Sequence, residues 1–344
     1  MAPCPGGRGV DTTGAVTSDM ATVETGARLH FGFQNLALAH ERLYGGVGVA
    51  LDEPRAVVSA TPDTEVVAPD ALKEVTADAV SLLRERGHDL GGVRVTLEEA
   101  FARHVGLGSG TQFALATLVA VASAYDVAVD VRKAAPALGR GGRSGVGVAT
   151  FEDGGFVVDA GHPTERFTTA PPARGEWTVP APVVQREVPA DWRFLLVTPA
   201  VEAGRHGDAE DESMRAAVER ADPGTADDIA GLLTRRLLPA VAEGDLSAFG
   251  RAVVRLGRLN GAWYADEQGG VYRPPAGTLV DALGDDPAIR GAGQSSWGPT
   301  VYGVTHADDA AAARAAGEAA LELAGTEGRV QVVGPRMTGA SHSE

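Results

Sequence analysis

One short run most restricts how this chain folds: His104-Val105-Gly106-Leu107-Gly108-Ser109-Gly110-Thr111-Gln112. It lies between a β-branched stretch at 93–97 and an almost continuously apolar, Ala- and Leu-rich stretch at 111–125. An apolar run with no polar face describes a helix buried on most sides. The first turn of such a helix has N–H groups without intrahelical partners and carries a partial positive charge of about half a unit. Glycines let those amides approach an anion, and the Ser109 and Thr111 hydroxyls add donors. The run therefore reads as a phosphate cradle built from Gly106, Gly108, Ser109, Gly110, Thr111 and Gln112. It has neither the Lys-Ser/Thr ending of a P-loop nor dinucleotide-fingerprint spacing, and taken alone it also suits a plain strand-to-helix turn capped by Thr111.

The surroundings of the loop set the fold class. Strand-like runs occupy 22–36 and 46–60, and helical spacing occupies 71–86; strand-rich sequence returns at 146–160, before a Pro/Thr/Arg-rich stretch at 163–182. The second half reads as a strand at 193–198, helices at 209–220, 226–242 and 246–261, and a Gly/Ser loop at 291–296. A strand at 300–304, an Ala-rich helix at 307–324 and a strand at 328–333 follow. Strand pairs intermixed with helices indicate α+β rather than a doubly wound parallel sheet. At 344 residues the chain exceeds one core. Two domains are expected, 22–189 and 190–335, with a disordered leader at 1–21 and a tail at 336–344.

Charge narrows the partners. The formal net charge is −16, and only Lys73 and Lys133 among the 30 basic residues are lysines. An acidic, arginine-based surface of this kind is heavily hydrated and resists salting out. It repels nucleic acid and anionic membranes, so any phosphate must be bound locally. No apolar run is long enough for a transmembrane helix, and the single cysteine, Cys4, rules out an intramolecular disulfide.

Two further stretches carry chemistry. Gly139-Arg140-Gly141-Gly142-Arg143-Ser144-Gly145-Val146-Gly147 combines two arginine forks, suited to phosphate or carboxylate, with glycines that leave backbone amides accessible. Gly291-Ala292-Gly293-Gln294-Ser295-Ser296-Trp297-Gly298-Pro299-Thr300 is a small-residue run ending in a tryptophan that can stack a ring. No grouped Cys/His spacing suggests a transition metal.

In this order the three stretches resemble the motifs of the GHMP kinase superfamily. With Arg28-Leu29-His30-Phe31, Gly45-Gly46-Val47-Gly48, the 154–162 run and Gly204-Arg205-His206-Gly207, they more closely resemble the β-ribofuranosylaminobenzene 5′-phosphate synthase family over about residues 22–335. That resemblance implies a GHMP N-terminal domain and a ferredoxin-like C-terminal domain. It also implies decarboxylating phosphoribosyl transfer from phosphoribosyl pyrophosphate to 4-aminobenzoate or 4-hydroxybenzoate, with release of CO2 and pyrophosphate. Mg²⁺, a homodimer and a cytoplasmic location go with it. On this reading the loop, Arg140, Ser144, Ser295 and Ser296 bind phosphate; Arg28 or Arg42 holds the carboxylate; Arg143 and His30 contact substrate; and Trp297 stacks the ring. Glu152 and Asp159 are the candidate metal ligands. The rival is an ATP-dependent small-molecule kinase. Many such kinases read Ser-Gly-Val-Asp where this chain has Ser144-Gly145-Val146-Gly147, and glycine cannot act on an acceptor hydroxyl. Tyr44 stands before the Gly45-Gly46 pair, where the synthase family often has an acid.

Overall fold

The computed structural model describes residues 20–168, 171–201 and 208–343. The first half holds β1 (Ala21–Asn35), β2 (Arg42–Asp63), β3 (Val66–Val67), α1 (Lys73–Glu85), β4 (Gly92–Glu99) and α2 (Ser109–Ser123). These are followed by α3 (Val131–Ala134), α4 (Val146–Glu152), β5 (Phe156–Asp159), β6 (His162–Pro163) and β7 (Pro182–Arg186). The second half runs β8 (Trp192–Pro199), α5 (Asp208–Arg220), α6 (Pro223–Leu232), a π-helical turn Leu233–Leu237, α7 (Leu238–Glu243) and α8 (Leu246–Gln268). It closes with α9 (Ala276–Gly284), β9 (Gly291–Gln294), β10 (Val301–His306), α10 (Ala310–Leu323), β11 (Gly328–Val333) and β12 (Ser341–Ser343).

Two sheets result. The first runs β12-β1-β2-β4-β3, with β5 and β6 also on β2 and β7 on β5; the second runs β11-β8-β10-β9 and is antiparallel throughout. Alternation along β8 sends Leu195 and Val197 to a core with α9 and α10. Phe194 and Leu196 face the larger core, where Phe31 of β1 meets Phe249 of α8 and Tyr302 of β10 edge to face at 5.7 and 5.1 Å. Helix α2 buries Phe113, Leu115, Leu118 and Val121 in that core, which accounts for its lack of a polar face.

Several expectations are corrected. The 146–160 run is not all strand: Val146–Glu152 is helical, started where the Ser144 hydroxyl accepts from the Val146 amide at 3.1 Å. Packing of Val146 and Ala149 on Val157 overrides the β propensity of the run. The glycines at 291 and 293 mark a strand rather than a loop. A side chain at Gly291 would strike the Gly250 carbonyl, and one at Gly293 would lie 2.6 Å from the Tyr302 hydroxyl, so close packing demands them. Helix α9 carries no signal that separated it from loop. The expected tail is anchored, because β12 pairs with β1 and Arg336 forms an ion pair with Glu24 at 3.0 Å. Of the expected leader, Met20 and Ala21 are described and Ala21 opens β1; residues 1–19 lie outside the described residues, as does Gly204-Arg205-His206-Gly207.

Two histidines are buried in this framework. Burial, with help from Arg28, lowers the His30 pKa to about 3. Burial lowers that of His162, stacked on Phe167 at 3.7 Å, to about 4. Both are neutral in the folded protein, whereas unfolded imidazole takes a proton near pH 6.5. Between those values the unfolded chain binds more protons, so this stability is complete above pH 6.5 and is lost as pH falls toward 4. Denaturant titrations from pH 7 to 4.5 should show a loss approaching about 1.4 kcal/mol per pH unit for each histidine, and His30→Asn should remove one histidine's share. In thermal melts Gly250→Ala, which would press on the Arg290 carbonyl, should cost about 1–3 kcal/mol. Gly284→Ala, with nothing within 4 Å, should be neutral or stabilising.

Candidate active site

The three stretches meet at one place. The carbonyl of Gly106 accepts hydrogen bonds from Arg28 Nη1 at 2.7 Å and from Ser295 Oγ at 2.8 Å. The Leu107 carbonyl takes the Arg28 amide at 3.0 Å, the Val105 carbonyl takes that of Thr300 at 3.3 Å, and the Gly108 carbonyl takes those of Thr111 and Gln112. Every carbonyl from 105 to 108 thus points into protein. The amides of residues 106–110 donate to no protein acceptor among the described residues. Gly106 at φ 93° and Gly108 at φ 83° make this possible: a side chain at Gly106 would hit the Ser295 carbonyl, and one at Gly108 would lie 2.9 Å from Arg28 Cγ.

Beside the loop is a cavity of about 370 Å³ that Arg28, Arg140 and Arg143 line together with Thr111, Ser144 and Trp177. Arg140 is half-buried: its Nε is buried without a hydrogen-bond partner, its guanidinium lines the cavity, and it forms no ion pair among the described residues. Burial pushes its pKa down, and Arg174 and Arg103 add to that, yet a guanidinium stays charged. Its Nη1 lies 3.2 Å from where a side chain on Gly110 would begin, so it borders the helix start. A guanidinium beside a helix start whose amides lack protein acceptors can take an anion. Arg143 is paired with Asp211 of α5, and its guanidinium lies beside the Tyr44 hydroxyl. Tyr44 therefore joins the site's edge through Arg143, from within an aromatic cluster with Phe33 and Phe167.

The remaining expected residues divide into those that face the cavity and those that hold it. Ser144 lines it while donating to Asp159 Oδ2 at 2.9 Å. His30, neutral and with a buried, unpartnered Nε2, sits with Ser296 and Trp297 where this cavity meets a narrower slot. Gln112 is committed to the framework, accepting from Thr25 at 2.6 Å and donating to the Gly147 carbonyl at 2.9 Å. Ser295 is likewise committed, to Gly106 and to the His30 amide. Arg42 does not line the cavity, and its guanidinium binds the Ala160 and Gly161 carbonyls.

The candidate metal ligands are also occupied. Asp159 is buried and accepts from the Gly46, Gly145 and Gly161 amides and from Ser144, all at 2.8–2.9 Å. That set fills a carboxylate and pins the second stretch to β2 and β5. Glu152 is paired with Arg132 away from the cavity. Among the described residues no group of three or more His, Cys, Asp or Glu could hold a metal.

Sequence reasoning missed three contributors. Trp177, in the proline-rich stretch, donates to the Arg140 carbonyl at 2.8 Å and covers Gly142. Asp211 had no local signature. Phe33 was hidden by parity, since plain strand alternation would bring residue 32 beside 28 and 30. A bulge between His30 and Gly32 adds one residue to β1 and turns Phe33 into the cavity instead.

Comparisons with known proteins agree with this geometry. Residues 73–155 match the GHMP kinases N terminal domain. The chain is 33% identical to beta-ribofuranosylphenol 5'-phosphate synthase of Methanothermobacter thermautotrophicus, over 92% of this chain and 97% of the relative. It is 32% identical to the enzyme of the same name from Archaeoglobus fulgidus, over 83% and 88%. Its fold is similar to that of a homoserine kinase from Cytophaga hutchinsonii, with a TM-score of 0.65, 18% identity and coverage of 95% and 98%. Clamped glycine loop, arginine cavity, GHMP fold and chain-length similarity converge on one conclusion: this chain belongs to the beta-ribofuranosylphenol 5'-phosphate synthase family.

Proposed function

We propose that the chain transfers the phosphoribosyl group of phosphoribosyl pyrophosphate to the ring carbon of a hydroxybenzoate, releasing pyrophosphate and CO2, in methanopterin-type cofactor biosynthesis. The observation that carries this reading is the closeness of the 106–110 amides, which have no protein acceptor among the described residues, to the half-buried Arg140, which has no ion pair among them. As the bond from the anomeric carbon to pyrophosphate breaks, its electron pair leaves with pyrophosphate. Donors fixed in advance stabilise that growing charge. Arg28 and Arg143 line the same cavity and suit the remaining phosphate and the carboxylate. The ring carbon bearing the carboxylate bonds to the anomeric carbon, and the electrons of the departing carboxylate restore aromaticity. No strong protein base is required, in keeping with a neutral His30 and with a lining whose one carboxylate, Asp211, is paired with Arg143.

The relatives' product is a phenol, and a ring that loses only its carboxylate must already carry the hydroxyl. This favours 4-hydroxybenzoate over 4-aminobenzoate as the acceptor. The described residues do not form a resident metal site, so Mg²⁺ is assigned to the pyrophosphate as part of the substrate. A homodimer and a cytoplasmic location complete the reading; among the described residues no helix is long and apolar enough to cross a membrane. Against a kinase stands Gly147, which lines the cavity beside Thr111 and offers no carboxylate.

With phosphoribosyl pyrophosphate, Mg²⁺ and 4-hydroxybenzoate in high salt, pyrophosphate and CO2 should appear in equal amounts. Arg140→Ala should raise the KM for phosphoribosyl pyrophosphate about 10- to 100-fold, the loss expected for a charged hydrogen bond, and leave the KM for the benzoate nearly unchanged. No pyrophosphate release, or ADP formation from ATP with homoserine, mevalonate or pantoate, would overturn the assignment.

A further inference from the structure

Next to the arginine cavity lies a smaller slot, and the two share His30, Phe33, Ser296 and Trp297 at their junction. Its volume is about 50 Å³, room for about three or four non-hydrogen atoms if a water needs roughly 10–15 Å³. Phe33 and Trp297 give it aromatic walls, and Trp297 is held by Tyr264 at 4.4 Å. Most of its polar side chains are already committed. Asn260 grips the backbone of Phe33 through both its atoms, at 2.6 and 3.0 Å, and Gln294 accepts from the Arg273 amide at 3.0 Å.

Besides His30, whose Nε2 is unpartnered at the junction, Tyr272 is the exception. Its hydroxyl is buried without a hydrogen-bond partner of proper geometry, and it lines the slot. Burial raises its pKa, and the Arg258 guanidinium beside it pulls the other way. Tyr302 also has a buried, unpartnered hydroxyl but does not line the slot. An unpartnered buried hydroxyl costs about 1–3 kcal/mol, which a suitably placed ligand atom recovers.

The geometry points to this slot as the reader of the acceptor's 4-position, with the Tyr272 hydroxyl as the specificity-determining group for a ring oxygen there. The inference rests on the proposed transfer reaction. If the carboxylate-bearing carbon faces the arginine cavity, the opposite edge of the ring enters the slot: two or three ring carbons and one substituent, the size the slot admits. The positive charge of Arg258 beside the hydroxyl favours a substituent rich in lone pairs. A phenolic oxygen meets that need better than an amino group, whose lone pair is delocalised into the ring and which presents mainly donors. The small floor residue Gly257, where a side chain would begin 3.7 Å from the Tyr272 hydroxyl, keeps this end open.

Calorimetry with the full chain in the presence of pyrophosphate and Mg²⁺, titrating 4-hydroxybenzoate, 4-aminobenzoate and unsubstituted benzoate, tests this. The wild type should bind 4-hydroxybenzoate about tenfold tighter than the other two, the usual worth of one satisfied buried hydrogen bond. Tyr272→Phe should bind all three alike. Gly257→Ala, which is in ordinary contact distance and suits a helix, should weaken both 4-substituted ligands more than benzoate. A hydroxyl preference that survives Tyr272→Phe, or a wild type with no preference, would overturn the slot assignment even if turnover is observed. Failure of turnover with the preference intact would instead overturn the reaction and leave the slot.

Discussion

The site depends on one acceptor, the carbonyl of Gly106. It takes a hydrogen bond from Arg28 of β1 and another from Ser295 at the end of β9, and so ties together the glycine loop, the first strand and the late small-residue run. This holds the loop's carbonyls turned into protein, while the amides of residues 106–110 have no protein acceptor among the described residues. An anion site of backbone donors needs that orientation held before the ligand arrives, because donors that must reorganise lose most of their advantage. The left-handed glycines at 106 and 108 are the stereochemical condition for it.

Charge is distributed to the same end. A chain of net charge −16 disfavours anions at long range, and the cavity reverses this locally with three arginines. Arg140 is the most exacting of them, since a half-buried guanidinium with no carboxylate partner among the described residues needs acceptors from its surroundings or a ligand. Asp159 does the opposite work. Filled with four donors, it binds no ligand but fixes the loop carrying Arg143 and Ser144 against the first sheet. The site therefore combines a cation whose Nε has no hydrogen-bond partner with a carboxylate filled by four donors.

Much of this was legible beforehand. The glycine loop, its buried helix and the α+β class follow from composition and periodicity around residues 93–125, and the family from three ordered motifs. What stayed hidden has physical reasons. Val146–Glu152 has strand-like residues but folds as a helix because Val146 and Ala149 pack on Val157, with the Ser144 hydroxyl accepting from the Val146 amide at its start. Gly291 and Gly293 looked like a turn, yet mark places where Gly250 and Tyr302 press on a strand. Phe33 reached the site through a bulge that reverses side-chain parity. Gln112, Ser295 and Asp159 have polar chemistry that suits a ligand, but in the fold protein groups already consume it. Trp177 and Asp211 come from distant segments, and no local pattern announces them.

The most direct test is a crystal structure with phosphoribosyl pyrophosphate or pyrophosphate and Mg²⁺ bound. The expected result places the pyrophosphate oxygens within hydrogen-bond distance of the amides of residues 106–110 and of the Arg140 guanidinium, with the Gly106 carbonyl still held by Arg28 and Ser295. Pyrophosphate bound elsewhere, with those amides facing only solvent and Arg140 untouched, would contradict the account.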